Sequence, residues 1–321
     1  MDAPLPSRSP SAAPPAPWSP GQRLRGVIPP LVTPLSGPDA LDEEALERLI
    51  EHVVAGGVAG VFLLGTTGEG ASLAPAVRRR LVERATRLVR RRVAVLAGVT
   101  DNSFSEMVRY ARHAADCGAD AVVATTPYFT SPDQDELHRY VRQLAHASPL
   151  PIFLYNMPRL TKTWFERDTV QRLIDCEQVV GIKDSAGELP FFREMASLAR
   201  QRPDWSLLVG PEHLIVEALQ IGGHGCVAGG ANVWPQLIVE LYQAVVADDR
   251  QRIAALQQRC QSLQRMYDSG GYAVGVTRSL KASLELLGIC SSRLAEPFAP
   301  CSPENRQRIA ELLHEHGLLA A

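Results

Sequence analysis

Lysine is scarce in this chain: among 33 Lys+Arg the lysines stand only at 162, 183 and 281. Arginine serves almost everywhere a generic positive charge is wanted, so each lysine position is informative. Lys183 follows the apolar run Val179-Val180-Gly181-Ile182. A strand there would carry the amine into an apolar interior or to its rim, where an ammonium without a purpose is costly. Arginine cannot substitute as a nucleophile, because guanidinium stays protonated. An amine of ordinary pKa, ~10.4, is almost wholly protonated at neutral pH. Desolvation lowers that value and frees the lone pair to attack a carbonyl. The alternative is a lysine paired with a carboxylate inside the fold.

Two other groups can join this chemistry. Tyr155 ends an apolar run, Ile152–Tyr155, and a phenol beside an iminium can shuttle protons. A tyrosine ending a strand can equally turn its hydroxyl to water. Gly65-Thr66-Thr67-Gly68-Glu69 reads as a tight turn after a strand, with hydroxyls and amides able to cradle a carboxylate. The plainer reading is an ordinary turn in which Thr67 caps the next segment. The turn lacks the Gly-Lys-Ser/Thr ending of a phosphate loop, which argues against a nucleotide.

The elements that must position these groups alternate. Short β-branched runs at 26–32, 60–64, 93–97, 121–124, 152–155, 179–183, 207–209 and 225–227 alternate with helical periods near 43–55, 75–91, 104–117, 133–147, 166–175, 188–201, 212–221 and 234–247. Asp42 is placed to cap the first helix, and Ser103 with Glu106 has capping-box spacing at the third. Gly118 and Gly222 stand where C-cap glycines belong. Eight such units predict an α/β fold, a (β/α)8 TIM barrel, with an open doubly wound sheet as the alternative. No G-x-G-x-x-G follows the first strand, which removes the best argument for a dinucleotide fold. Helical periods near 249–267, 276–288 and 303–317 predict a helical C-terminal appendage. The expected division is a disordered Pro/Ala/Ser-rich tail at 1–22, the barrel at 23–248 and the C-terminal helical region at 249–321.

The bulk composition excludes more than it assigns. A formal net charge of -2 gives no general drive toward nucleic acid or an anionic membrane. The clusters Arg78–Arg80 and Arg90–Arg92 read as a solvated helix face. The cysteines at 117, 176, 226, 260, 290 and 301 show no C-x-x-C or metal-ligand spacing, and the histidines are scattered. No metal site is expected. Reduced thiols, no secretory h-region and no membrane-length apolar run point to a cytoplasmic protein.

Taken together, the motifs Gly65–Glu69, Thr126-Pro127-Tyr128-Phe129, Tyr155-Asn156-Met157-Pro158, Gly181–Gly187 and Gly222-Gly223-His224-Gly225 give the sequence a resemblance to a known family. From about residue 24 to 318 it resembles the dihydrodipicolinate synthase / N-acetylneuraminate lyase superfamily of pyruvate-type class I aldolases. The resemblance implies that Lys183 forms a Schiff base with a 2-oxo acid and that Tyr155 is the general acid/base. It implies that Thr66 and Thr67 hold the substrate carboxylate, with the Thr66 hydroxyl close to Tyr155, and that Gly210 and Val227 line the pocket. It further implies no metal or organic cofactor and a homotetramer built as a dimer of dimers.

Two departures bear on substrate. The lysine-pathway synthases carry Tyr-Tyr where this chain has Tyr128-Phe129, and their second tyrosine crosses a dimer interface to complete a proton relay. They also carry an arginine five residues after the catalytic tyrosine, where this chain has Leu160, with Arg159 one place early. Leu160 partly resembles the corresponding loop of the sialate lyases. Gly70, Pro75 and Arg78 stand where a feedback lysine site would want polar groups or histidines. The resulting expectation is a lyase that cleaves a 2-oxo-3-deoxy sugar acid, or a related hydroxylated 2-oxo acid, to pyruvate and an aldehyde. The alternatives are a Schiff-base dehydratase, 4-hydroxy-tetrahydrodipicolinate synthase, and, outside enzymes, a ligand-binding barrel.

Overall fold

The computed structural model describes residues 18–19, 21–267 and 272–319. Eight parallel strands lie side by side: β1 (Gly26–Val27), β4 (Gly60–Leu63), β5 (Ala94–Gly98), β6 (Ala121–Thr125), β7 (Ile152–Asn156), β8 (Val179–Asp184), β9 (Ser206–Val209) and β10 (Gly225–Cys226). The run predicted at 26–32 pairs as a strand only over its first two residues, yet it closes the barrel. Pro30 bridges Phe62 in parallel, and Leu31 N–H donates to the Phe62 carbonyl at 2.9 Å. Between β1 and β4 the chain adds a small antiparallel hairpin, β2 (Leu35–Gly37) with β3 (Ala40–Leu41), which apolar periodicity does not announce.

The helices of the outer ring follow the expected order. They are α1 (Glu43–Ala55), α2 (Pro75–Val89), α3 (Phe104–Cys117), α4 (Gln134–Ala147), the short α5 (Pro158–Thr161), α6 (Arg167–Leu173), α7 (Leu189–Ala199), α8 (Ile215–Gln220) and α9 (Pro235–Val246). Asp42 and Ser103 accept the cap hydrogen bonds expected of them, from Ala45 and Glu106. The reciprocal capping box, however, is Asp133 with Glu136 at α4. The segment predicted as one helix at 212–221 opens with a 3-10 turn, 212–214, before α8. Arg78 departs from the solvated face expected for its cluster. It is buried, pairs with Asp101 at 2.8 Å and stacks over the Tyr110 ring at 3.9 Å. Its neighbour Arg80 does meet solvent, paired to Glu43.

Two buried layers result. One fills the space between strands and helices, and the other fills the barrel interior with Ile28, Phe62, Leu96, Val123, Phe153, Val180 and Leu208. Most of residues 1–22, predicted as a tail, lie outside the described residues. Trp18 is described and buried, its ring 6.2 Å from that of Phe153 in the interior layer.

One irregularity decides the site. Strand side chains alternate between faces, so one extra residue reverses every facing beyond it. Between β7 and β8 the register runs Ile152–Val179 and then Phe153–Gly181, so Val180 is the extra residue. Val180 belongs to the interior layer while Val179 and Ile182 belong to the outer one. Lys183 therefore joins Val180 on the inside.

The C-terminal region is helical: α10 (Arg250–Leu263), a 3-10 turn at 264–267, α11 (Tyr272–Leu286) and α12 (Pro303–Glu315). No helix among the described residues is long and apolar enough to cross a membrane.

Candidate active site

In a βα barrel the functional face lies at the C-terminal ends of the strands. Lys183 and Tyr155 meet there as register partners on β8 and β7. Lys183 is buried, its Nζ 3.9 Å from the centroid of the Tyr155 ring and 5.1 Å from that of Phe62. No carboxylate pairs with it among the described residues, so the salt-bridge alternative finds no partner. The Tyr155 hydroxyl is 3.2 Å from Thr66 Oγ1, inside the barrel mouth rather than toward water.

The Thr66-Thr67 turn is held from several sides. Leu64 and Glu69, at φ 59 and 57, adopt the left-handed region that most side chains avoid. Gly65 is glycine for a packing reason: a Cβ there would meet the Phe62 ring at 2.6 Å. Thr67 does not cap the next helix, since α2 begins at Pro75, with Ala74 as its N-cap residue and no side-chain cap. Neither backbone N–H of Thr66 and Thr67 finds an acceptor among the described residues. Such a pair of free amides beside two hydroxyls can receive a carboxylate.

Glu69 acts behind the turn. Its carboxylate pairs with the fully buried Lys281 and accepts the Ala295 N–H at 2.7 Å, while Lys281 Nζ also donates to the Arg293 carbonyl at 2.6 Å. Burial pulls the Lys281 ammonium below its ordinary pKa, and the charge of Glu69 opposes this. The C-terminal region thus supports the turn. Of the other lysines, Lys162 is exposed and donates to the Arg159 carbonyl.

A cavity of about 230 Å³ brings together all six candidate residues: Lys183, Tyr155, Thr66, Thr67, Gly210 and Val227. It also admits residues that the motif reading left without a role: Arg159, Ser185, Glu212, His213, Gln264 and Tyr267. Glu212 stands just beyond β9, where the strand-end rule could have flagged it. Tyr267 and Gln264 come from the C-terminal region, which no strand-end rule covers. A second cavity, about 300 Å³, shares Thr66, Tyr155 and Met157 with the first. Leu160 lines this second cavity, among Leu64, Val274, Leu294 and Phe298, whereas Arg159 lines the one with Lys183.

Next to Lys183, burial raises the Asp184 carboxyl to about 6, against hydrogen bonds from the Asn156 amide (2.8 Å) and the Ala186 N–H. Asn156 also accepts the Phe165 N–H at 3.1 Å, which ties the ends of β7 and β8 to the loop beyond. His224 ties two strands together: its Nδ1 accepts the Leu207 N–H at 2.9 Å. Among the described residues no group of His, Cys, Asp and Glu could hold a metal ion.

The fold is shared with known proteins. The chain is 35% identical over 298 residues to 4-hydroxy-tetrahydrodipicolinate synthase of Phenylobacterium zucineum, covering 92% of this chain and 98% of that one. The dihydrodipicolinate synthase structure from Bacteroides thetaiotaomicron superposes with a TM-score of 0.88 at 42% identity, over 91% of this chain and 98% of that one. A monomeric dihydrodipicolinate synthase variant superposes with a TM-score of 0.86 at 28% identity, over 92% and 97%. The model of the dihydrodipicolinate synthetase family matches residues 23–316. A (β/α)8 barrel with these motifs, matched along nearly its whole length, is a lyase of the class I pyruvate-aldolase type, and the chain belongs to the dihydrodipicolinate synthetase family.

Proposed function

We propose that Lys183 forms a Schiff base with a 2-oxo acid and that the protein makes or breaks the C3–C4 bond, one carbon removed from the oxo carbon, exchanging pyruvate and an aldehyde for a hydroxylated 2-oxo acid. The observation that carries this reading is the buried Lys183 amine over the Tyr155 ring, in one cavity with the Thr66-Thr67 turn. Thr66 and Thr67 receive the carboxylate, which sets the oxo carbon before the lysine. The amine adds to that carbon, Tyr155 gives a proton to the departing hydroxyl, and water leaves to form the iminium. The iminium then takes the electron pair of the breaking bond as an enamine. Gly210 and Val227 form the wall beside the bound acid.

Two substrates divide the evidence. A sugar-type hydroxylated acid fits Phe129 and Leu160, which lack the polar groups that the resemblance associates with the lysine-pathway synthases. The synthase reading, pyruvate plus aspartate semialdehyde, is favoured by the names of relatives such as the Phenylobacterium protein, and Arg159 in the Lys183 cavity offers a cation for a second carboxylate. A dehydratase using the same iminium would release water and no pyruvate. Borohydride with pyruvate should leave a stable adduct on Lys183. A folded protein that gives no adduct excludes the mechanism. Product analysis on 2-oxo-3-deoxygluconate, N-acetylneuraminate, and pyruvate with aspartate semialdehyde separates the substrates.

A homotetrameric assembly built as a dimer of dimers is part of this proposal. Phe129, 86% exposed, offers an apolar contact for a second copy. Light scattering tests it. A cytoplasmic location fits the six free thiols.

A further inference from the structure

The Lys183 cavity has a second phenol, on the side supplied by the C-terminal region, that the steps above do not use. The Tyr267 hydroxyl donates to Glu212 Oε1 at 3.0 Å, and the same oxygen accepts the Gly230 N–H at 2.6 Å. Tyr267 and Glu212 both line the cavity with Lys183 and Gly210. The backbone beside them is shaped to admit the pair. A Cβ on Gly229 would lie 3.2 Å from Glu212 Oε1 and 3.4 Å from the Tyr267 oxygen, and one on Gly230 would lie 2.8 Å from Glu212 Oε2.

A phenol carries one proton and two lone pairs. With its proton committed to Glu212, the Tyr267 oxygen keeps a lone pair to accept a hydrogen bond from a substrate hydroxyl. Tyr155 already has Thr66 beside it, so the cavity holds two separate phenols, one paired with a hydroxyl and one with a carboxylate.

We propose that Tyr267 and Glu212 form a proton relay for the hydroxyl at C4 of the substrate, distinct from Tyr155, which serves the carbinolamine. This rests on the Schiff-base lyase reading above. In cleavage, the C4 hydroxyl proton passes to the Tyr267 oxygen as the proton of Tyr267 passes to Glu212. The C4 oxygen becomes the aldehyde carbonyl. The C3–C4 bond breaks, and its electron pair enters the iminium to give the enamine on Lys183. Glu212 ends protonated, and synthesis runs the same transfers backward. Withdrawal from water raises the Glu212 carboxyl above the usual carboxylate range and so makes it a stronger base.

The test compares full-length wild type with Tyr267→Phe and Glu212→Gln. Pyruvate alone reports on the Schiff base and enamine, through borohydride trapping and exchange of its methyl protons in D2O. Cleavage of 2-oxo-3-deoxygluconate, and synthesis from pyruvate and aspartate semialdehyde, report on the C4 hydroxyl. The expected result is trapping and exchange within about threefold of wild type, KM similarly preserved, and kcat lowered roughly 10²–10⁴-fold in both variants. Tyr267→Phe with kcat within about threefold of wild type would overturn the relay. So would parallel loss of exchange and turnover in both variants, which is the mark of a merely structural role. A wild type that exchanges pyruvate protons yet handles neither aldol substrate also overturns it. A wild type that neither traps nor exchanges removes the lyase reading itself.

Discussion

Lys183 and Tyr155 are direct register partners on adjacent parallel strands, and the Lys183 nitrogen sits 3.9 Å from the centre of the Tyr155 ring. A nucleophile and a proton donor are therefore held by backbone hydrogen bonding rather than by flexible loops. Rigid placement of this kind keeps reacting groups in a productive geometry.

Replacing Lys183 with Arg keeps a charge and removes the nucleophile. Trapping with pyruvate and borohydride, read by mass spectrometry, should vanish in Lys183→Arg. It should persist in Lys162→Ala, since Lys162 is exposed and outside the cavity.

Tyr155→Phe preserves the ring beneath the lysine and deletes the hydroxyl shared with Thr66. The rate of Schiff-base formation in stopped-flow measurements should fall by roughly 10²–10⁴-fold. Thr66→Val, which leaves the phenol in place, should have the smaller effect. A reversed order would assign the proton donor wrongly.

Lys281 is no neutral comparator for Lys183. Lys281→Ala leaves Glu69 charged and buried, at a cost of about 3–5 kcal/mol of stability. The double change Glu69→Gln with Lys281→Met should recover much of the loss in a chemical denaturation series. Recovery would show that the isolated charge, rather than the missing side chain, does the damage.

His224 makes stability depend on acidity. Desolvation, with Arg23 and Arg25 nearby, lowers its pKa from 6.5 to about 3. The unfolded chain therefore binds this proton more readily, and stability falls as pH drops from about 6.5 toward 3. In His224→Gln, the wild-type minus variant difference in melting temperature should narrow over that window. Asp184, raised to about 6, works in the opposite sense by favouring its protonated form when folded. The comparison must therefore be made against the single variant.

The barrel was legible in the sequence because each strand and helix carries its own period. The α1 and α3 boundaries, 43–55 and 104–117, coincide with the periodic segments. All six proposed site residues share one cavity, because motifs at strand ends must converge on one face of a barrel. What escaped lacks a local signal. Arg78 looks like any helix-face arginine until Asp101 and Tyr110, from later elements, enclose it. Glu212 and Tyr267 are 55 residues apart, and nothing in either neighbourhood announces the pairing. The link between Glu69 and Lys281 is equally invisible without the fold.

The extra residue at Val180 carries a further consequence. Because Val180 is the residue without a partner, the pairs on either side of it do not depend on it: Ile152 faces Val179 before it, and Tyr155 faces Lys183 beyond it. Removing Val180 would join the two stretches into one regular ladder with Lys183 still opposite Tyr155, at the loss of one apolar side chain from the interior layer. The bulge is thus a store of slack in the strand. A one-residue shortening can be taken up there, whereas a one-residue lengthening beyond it would turn the lysine toward the helices with every side chain of the site still present.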